Sequence, residues 1–239
     1  MLVAGFPAGP WGTNCYVVAA SEGSECVIID PGKDAVEGVR DLVVESRLRP
    51  VAVLLTHGHI DHMWSVLPVA DGYAIPALVH PADRALLSDP LSGISTDSRA
   101  MLRQMTGGLA EFVEPSEVIE VSDGLALDIA GLGFVVDHAP GHTAGSVTYR
   151  RDTVGGYAPV MFSGDVLFAG SIGRTDLPGG DTDEMMRSLA RVVLPLPDDT
   201  VVLPGHGEQT TIGRERSSNP YLRALLDDAS PPADQRRGL

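Results

Sequence analysis

Cysteine is scarce in this sequence of 239 residues, with only Cys15 and Cys26 present. Two cysteines build no disulfide framework. On adjacent predicted strands they read as small buried side chains rather than a metal or redox pair. Lysine is scarcer still: Lys33 stands alone among 17 basic residues, against 32 acidic ones, and the formal net charge is −15. Nucleic-acid binders need a basic face to displace counterions from phosphates, so this balance argues against a DNA or RNA partner. No apolar run approaches the ~18–20 residues of a membrane span, which argues against a membrane partner. The opening Met1-Leu2-Val3-Ala4-Gly5-Phe6-Pro7 has neither the basic nor the long apolar stretch of a secretory leader, and predicts a cytoplasmic protein. There is no repeat of fixed short period, so a repeat architecture is not expected. The pattern fixes no oligomeric state.

What is present suits a substantial core. Apolar residues make up 44% of the chain. That is enough for one domain over residues 1–229, with 230–239 as a frayed tail. Strands are expected at 14–19 and 25–29, joined by a polar turn, and Asp30-Pro31-Gly32 then breaks the chain. Val36, Val39, Leu42 and Val43 recur at helical spacing over 34–46. Val51 to Leu55 is a short, wholly apolar run and reads as a buried strand. A strand at 75–79 and a helix over 81–88, started by Pro81, come next. Residues 89–112 read as a helical insert or lid beside the site. Strands are expected near 117–121, 125–129, 133–137, 145–149, 159–163 and 200–203, and helices over 182–193 and 219–229. This order predicts an α/β layered sandwich, sheets inside and helices outside.

The chemistry lies in His57-x-His59-x-Asp61-His62, four potential ligands within six residues on a loop leaving a buried strand. Imidazole and carboxylate suit Zn²⁺ and related divalent ions. Gly58 would let the backbone turn tightly between two ligands. Alternation would put His57, His59 and Asp61 on one side of an extended loop. A bend would then aim His62 elsewhere, so one loop could serve two adjacent ions. Three more candidates, His142, Asp165 and His206, each follow an apolar strand and are each preceded by glycine. Strand ends are where loops gather to form sites. Asp165 gains weight because a carboxylate can bridge two cations. His80 reads as a helix cap or surface residue. His138, four residues before His142, reads as a group packing under the ligand loop, outside the ligand set.

These residues resemble the metallo-β-lactamase superfamily. The likeness runs from His57-x-His59-x-Asp61-His62 through Asp30-Pro31-Gly32, Gly141-His142-Thr143-Ala144-Gly145-Ser146, Ser163-Gly164-Asp165 and Gly205-His206, covering roughly residues 12–210. The resemblance implies a four-layer αββα sandwich with a dinuclear site at one edge. It implies that His57, His59 and His142 bind one metal, that Asp61, His62 and His206 bind the other, and that Asp165 bridges them. The two ions would be zinc first, with iron or manganese also accepted by such ligands. Within the superfamily the chain is most similar to the glyoxalase II-like, or hydroxyacylglutathione hydrolase-like, branch in a short form. That likeness rests on the segment from Asp165 to Asp181. Arg174 falls where that branch has a basic residue contacting the thiol portion of its substrate. Two departures bear on which thiol is used: the long C-terminal helical domain of the larger enzymes is absent, and Glu208 stands where they have a tyrosine.

The implied reaction is hydrolysis of a small-molecule thioester, an S-2-hydroxyacyl-glutathione or a related low-molecular-weight thiol ester. A hydroxide bridging the two metals would attack the carbonyl. The leaving thiolate needs little protonation, since a thiol has a pKa of ~8.5. Asp61 and Asp165 are the expected catalytic residues, positioning that hydroxide. Asp30 either orients the ligand loop or serves as a strand-end turn. Arg174 either binds a substrate carboxylate or forms an ion pair with Asp176 or Asp181. The alternatives are an iron-dependent persulfide dioxygenase, which shares a Gly173-Arg174-Thr175-Asp176-like segment, and a lactonase. Asp165 argues against a β-lactamase, because many of those carry Cys or Ser there, and the net charge argues against a nuclease. A non-catalytic metal-binding protein is the alternative of a different class, disfavoured by the complete ligand set.

Overall fold

The computed structural model describes residues 1–96, 98, 99, 102, 112–153 and 155–229. Two six-stranded sheets carry the chain, in strict sequence order. The first holds β1 (Leu2–Ala8), β2 (Thr13–Ala19), β3 (Glu25–Ile29), β4 (Arg49–Leu54), β5 (Ala77–Val79) and β6 (Val118–Glu120). Its first three strands run antiparallel and the remaining pairings are parallel. The second holds β7 (Ala126–Ile129), β8 (Leu132–His138), β9 (Val147–Arg151), β10 (Val160–Gly164), β11 (Val201–Pro204) and β12 (Thr210–Thr211). There only β10 and β11 are parallel. The helices include α1 (Ala35–Glu45), α2 (Ile60–Met63), α3 (Val66–Tyr73), α4 (Thr182–Ser188), α5 (Ile212–Ser218) and α6 (Pro220–Ala229).

Strand alternation builds three cores from this order. Val27, Ile29, Ala52 and Leu54 face inward and meet Phe134, Val136, Tyr149 and Phe162 of the second sheet. Cys26, Ile28, Val53 and Leu55 face outward and pack under Ala35, Val39 and Val43 of α1 and Val66 and Val69 of α3. On the far side, Met161 and Val202 pack under Met185, Leu189, Ile212 and Leu222. The layers are therefore helices, sheet, sheet, helices, the four-layer αββα sandwich that the sequence predicts. Phe162 anchors the middle layer, 5.4 Å from the ring of Tyr16 and 6.3 Å from that of Phe134. Burial of each such aromatic contributes about 1.5–3 kcal/mol. Both thiols are free and buried, and burial pushes that of Cys26 up to about 12.

Several elements differ from expectation. β1, unforeseen, is an edge strand whose exposure alternates residue by residue. Pro7 and Gly5 hid its strand character, and Pro is tolerated only on such edges. α3 was masked by Pro68, which sits in its first turn, where a missing N–H costs nothing. The span Pro81–Leu87 is a 3₁₀ helix rather than an α-helix. In that tighter winding, residues three apart eclipse, so Asp83 and Leu86 present to the same neighbour. The helix over 182–193 is α only through Ser188 and widens to π winding over Leu189–Val193. β12 and α5 are too short to show a period. Half of the 89–112 stretch expected as a lid lies outside the described residues. Of that stretch, Pro90–Gly93 form a 3₁₀ turn, and Leu102 is buried with Ile60 and Ile94 beside Trp11, Trp64 and Phe112. The tail at 230–239 also lies outside the described residues. Among the described residues no helix is long and apolar enough to cross a membrane.

Candidate metal centre

Strand ends deliver the site. The loop after β4 carries His57 and His59, and the short helix α2 that follows carries Asp61 and His62, so the extended run expected through Asp61 ends at His59. The turn after β8 carries His142, and residues just past β10 and β11 are Asp165 and His206. All seven predicted ligands converge. The ligand atoms of His57, His59 and His142 lie within 4.8 Å of one another, as do those of Asp61, His62 and His206. Asp165 lies between the two trios. Its Oδ1 is 3.2 Å from His62 Nε2, and its Oδ2 is 3.5 Å from His142 Nε2 and 3.7 Å from His206 Nε2. A third grouping, His57, His62 and Asp165, meets the same limit and places the carboxylate against both sets.

Hydrogen bonds from behind fix which ring nitrogen faces inward. Asp30, at the end of β3, accepts Thr56 N–H at 2.8 Å, the Thr56 hydroxyl at 2.6 Å and His62 Nδ1–H at 2.9 Å. A carboxylate can only accept here, so His62 Nδ1 carries the proton and Nε2 presents a lone pair. Thr56 Oγ1 spends its proton on Asp30 and accepts from His57 Nδ1 at 3.1 Å. His57 Nε2 is left facing inward, buried and without a partner. His142 Nδ1 donates to the Arg174 carbonyl at 2.7 Å, which frees its Nε2 in the same way. Asp30 thus orients the ligand loop, the first of the two roles open to it.

The donor set fits divalent cations. His59 Nδ1 and His142 Nε2 face each other at 2.7 Å, two nitrogens that need a shared proton or a cation between them. Asp165 Oδ1 is buried with no hydrogen-bond donor. Buried polar atoms without partners are rare, and their concentration here marks a place for an ion. Nitrogen and carboxylate donors suit zinc, iron or manganese.

The two trios carry opposite electrostatics. Burial, reinforced by the neighbouring imidazoles, drives His57 far below its ordinary value and His59 down to about 3. Burial would also lower His62 and His206, but the Asp165 and Asp61 carboxylates outweigh it and raise both. Asp61 and Asp165 are lowered in turn: burial would raise them, and the facing imidazoles, His62 foremost, prevail.

A cavity of about 510 Å³ opens onto the centre. His59, Asp61, His142, Asp165 and His206 are on its floor, and Trp11, Ile94, Leu102, Phe168 and Leu177 form apolar walls. Trp11 and Trp64 stand with ring centroids 5.9 Å apart beside it. Arg174 lines the cavity and forms a two-point ion pair with Asp176, at 2.7 and 2.8 Å. Asp181 is not its partner and instead caps α4 by accepting from Glu184 N–H at 2.9 Å. His80 caps the 3₁₀ helix by accepting from Ala82 N–H, and its ring stacks at 4.0 Å on that of His138. His138 donates to the Ala144 carbonyl at 2.9 Å, under the His142 loop and outside both trios.

Gly58 is needed for a reason other than a tight turn. Its backbone φ is not positive, but a side chain there would press 2.8 Å from Leu86 Cβ and 2.9 Å from the Asp83 carbonyl. Two supporting residues escaped the sequence reading. Thr13 donates to Asp61 Oδ2 at 3.3 Å, and Asp83 lies buried behind the ligand loops. Neither carries a sequence signal, because a threonine in a strand and an acid near a helix start are ordinary.

Paired sheets between helices, with histidines and aspartates gathered at one edge, define the class: the chain belongs to the metallo-beta-lactamase superfamily, whose sequence profile matches residues 8–206. Among its relatives, a Mycobacterium tuberculosis protein is 47% identical over 94% of this chain and 99% of its own. The probable metallo-hydrolase YqgX of Bacillus subtilis is 35% identical over 92% and 96%. The hydroxyacylglutathione hydrolase GloC of Haemophilus influenzae is 31% identical over 91% and 96%. Among solved structures, the BLEG-1 B3 metallo-beta-lactamase is 40% identical, with a TM-score of 0.79 over 92% of this chain and 99% of its own. TTHA1623, crystallised in a di-iron-bound form, is 36% identical, with a TM-score of 0.73 over 92% and 100%.

Proposed function

We propose that this chain is a metal-dependent hydrolase that cleaves thioesters of low-molecular-weight thiols, with a 2-hydroxyacyl group as the first candidate acyl portion. The observation that carries the reading is the convergence of two ligand trios and Asp165 on the floor of one apolar-walled cavity. The likeness to GloC over nearly its whole length supports the substrate class.

When bound, two divalent cations would supply Lewis acidity and bring the pKa of a water from ~15.7 towards neutrality. His57, His59 and His142 would hold one cation and Asp61, His62 and His206 the other, with Asp165 reaching both. Asp61 and Asp165 line the cavity floor, where their carboxylates would accept hydrogen bonds from the attacking water and orient it. Trp11 and Phe168 exclude bulk solvent. Arg174, exposed at its contact with Asp176, can exchange that partner for a substrate carboxylate. Apart from the ligand residues, Arg174 is the one titratable group lining the cavity among the described residues. That suits a leaving group that needs no proton, and a thiol with a pKa of ~8.5 is one.

A second reading, β-lactam ring opening, is favoured by the likeness to BLEG-1. Both reactions begin with attack on an acyl carbonyl, but an amine leaving group needs a proton. Steady-state hydrolysis of S-lactoylglutathione, other thiol esters, a lactone and a cephalosporin separates them, with metal content measured on the same sample. Thioester turnover well above the others supports the first reading. Turnover of the cephalosporin alone, or oxygen uptake with a persulfide in place of any hydrolysis, overturns it.

A further inference from the structure

The two loops that supply the His57, His59 and His142 trio share no covalent neighbourhood, yet their ring nitrogens meet at 2.7 Å. Something must set the loops against each other before any ion arrives. Behind them lies Asp83, 1% exposed, in the 3₁₀ helix Pro81–Leu87. Its Oδ2 accepts Gly58 N–H at 2.9 Å, between His57 and His59. The same oxygen accepts the Thr143 hydroxyl at 2.7 Å, and Oδ1 accepts Gly145 N–H at 2.7 Å, both in the loop that carries His142. Thr143 Oγ1 lies 2.8 Å from Ser146 Oγ, which in turn accepts Thr143 N–H at 3.1 Å. The approach is close on both sides: a side chain at Gly58 would strike Leu86 and the Asp83 backbone, and one at Gly145 would strike the Asp83 carboxylate. This carboxylate is buried, makes no salt bridge among the described residues, and is satisfied by three donors drawn from the two loops.

We propose that Asp83 is a positioning residue of the His57, His59 and His142 trio, setting the separation of its two loops, while Asp30 orients His62 directly and His57 through Thr56. It joins the two loops at fixed separation and so sets that trio alone. Asp61, His62 and His206 take no bond from it. The proposal rests on the reading that the trios hold metal ions.

The test is metal affinity, measured by chelator competition with Zn²⁺ and Co²⁺ on the intact chain. The wild type should take up two ions. Asp83→Asn replaces one acceptor oxygen by a donor, so at least one of the two backbone N–H groups, Gly58 or Gly145, loses its acceptor and faces an amide N–H instead. It should weaken one ion by about 10- to 100-fold and leave the other at wild-type affinity. In a His206→Ala background, where the other trio is broken, the same change should weaken the remaining ion by the same factor. In a His57→Ala background it should add nothing. Should Asp83→Asn fail to fold by thermal melting, Thr143→Val keeps both backbone bonds and should weaken the same ion to a smaller degree. Equal weakening of both ions, or unchanged affinity in these folded variants, overturns the proposal. A wild-type chain that takes up no transition metal sinks the metal reading beneath it as well.

Discussion

The two trios share a floor but differ in their walls. His57, His59 and His142 are 1%, 4% and 3% exposed, closed in by loops and the 3₁₀ helix. In the other trio His62 is fully buried, but the side chains of Asp61 and His206 are 21% and 28% exposed, towards the cavity. One trio is the more buried and is built of imidazoles, although His59 and His142 still reach the cavity. The other contains a carboxylate, and two of its three side chains are more exposed towards the cavity. Under the proposed function this difference predicts a division of labour: the buried trio would hold its ion, and the open trio would exchange.

The largest break in this comparison comes from the residue that belongs to both. Asp165→Ala should lower kcat by about 100-fold or more while the melting temperature and circular dichroism stay those of a folded protein. Near-normal turnover would remove its bridging role.

Acid should separate the trios next. In the metal-free protein His62 and His206 are raised, so their pairing with carboxylates stabilises the fold below ~6.5 and fades as pH climbs through the raised values. Asp61 and Asp165 are lowered, so their share is present above ~3.9 and fades as pH falls through the lowered values. In the window between, an ion at the open trio must displace bound protons. His57 and His59 are lowered, so they are neutral throughout the upper part of that window and compete little. Metal content after gel filtration should therefore fall from two ions to one as the pH is lowered, the open trio emptying first. Simultaneous loss of both ions would contradict the division.

Much of this was written in the order of residues, and some of it was not. The ligand loop was legible because four metal-binding side chains crowd one strand end. His142, Asp165 and His206 were legible because each follows an apolar strand. The sandwich followed from blocks of strands and helices. β1 was missed because Pro7 and Gly5 contradict strand propensity and only an edge position tolerates them. The 3₁₀ winding of Pro81–Leu87 and the closeness behind Gly58 were out of reach. Both arise where elements 25 residues apart in the chain press together. Asp83 could not be singled out for the same reason: nothing local distinguishes a clamping carboxylate from a surface one.

Two smaller effects sharpen the view of the open side. Arg174→Gln should raise KM for a carboxylate-bearing thioester by about tenfold, roughly the 1.5 kcal/mol of one charge-assisted bond, with little change in kcat. An equal rise for an uncharged thioester would show instead that the Asp176 pair merely holds the loop. Trp11→Ala should raise KM for bulky acyl groups by a few-fold and leave metal content at two ions. Loss of an ion in that variant would mean the wall also supports the centre.

The chain has two tryptophans, Trp11 on the cavity wall and Trp64 packed against it at the end of α2, tilted at 46° to each other. Nearly all intrinsic fluorescence of the protein therefore originates within sight of its chemistry. An unlabelled sample excited near the red edge of protein absorption should change emission as ions load or an acyl compound enters, which makes the molecule its own optical probe.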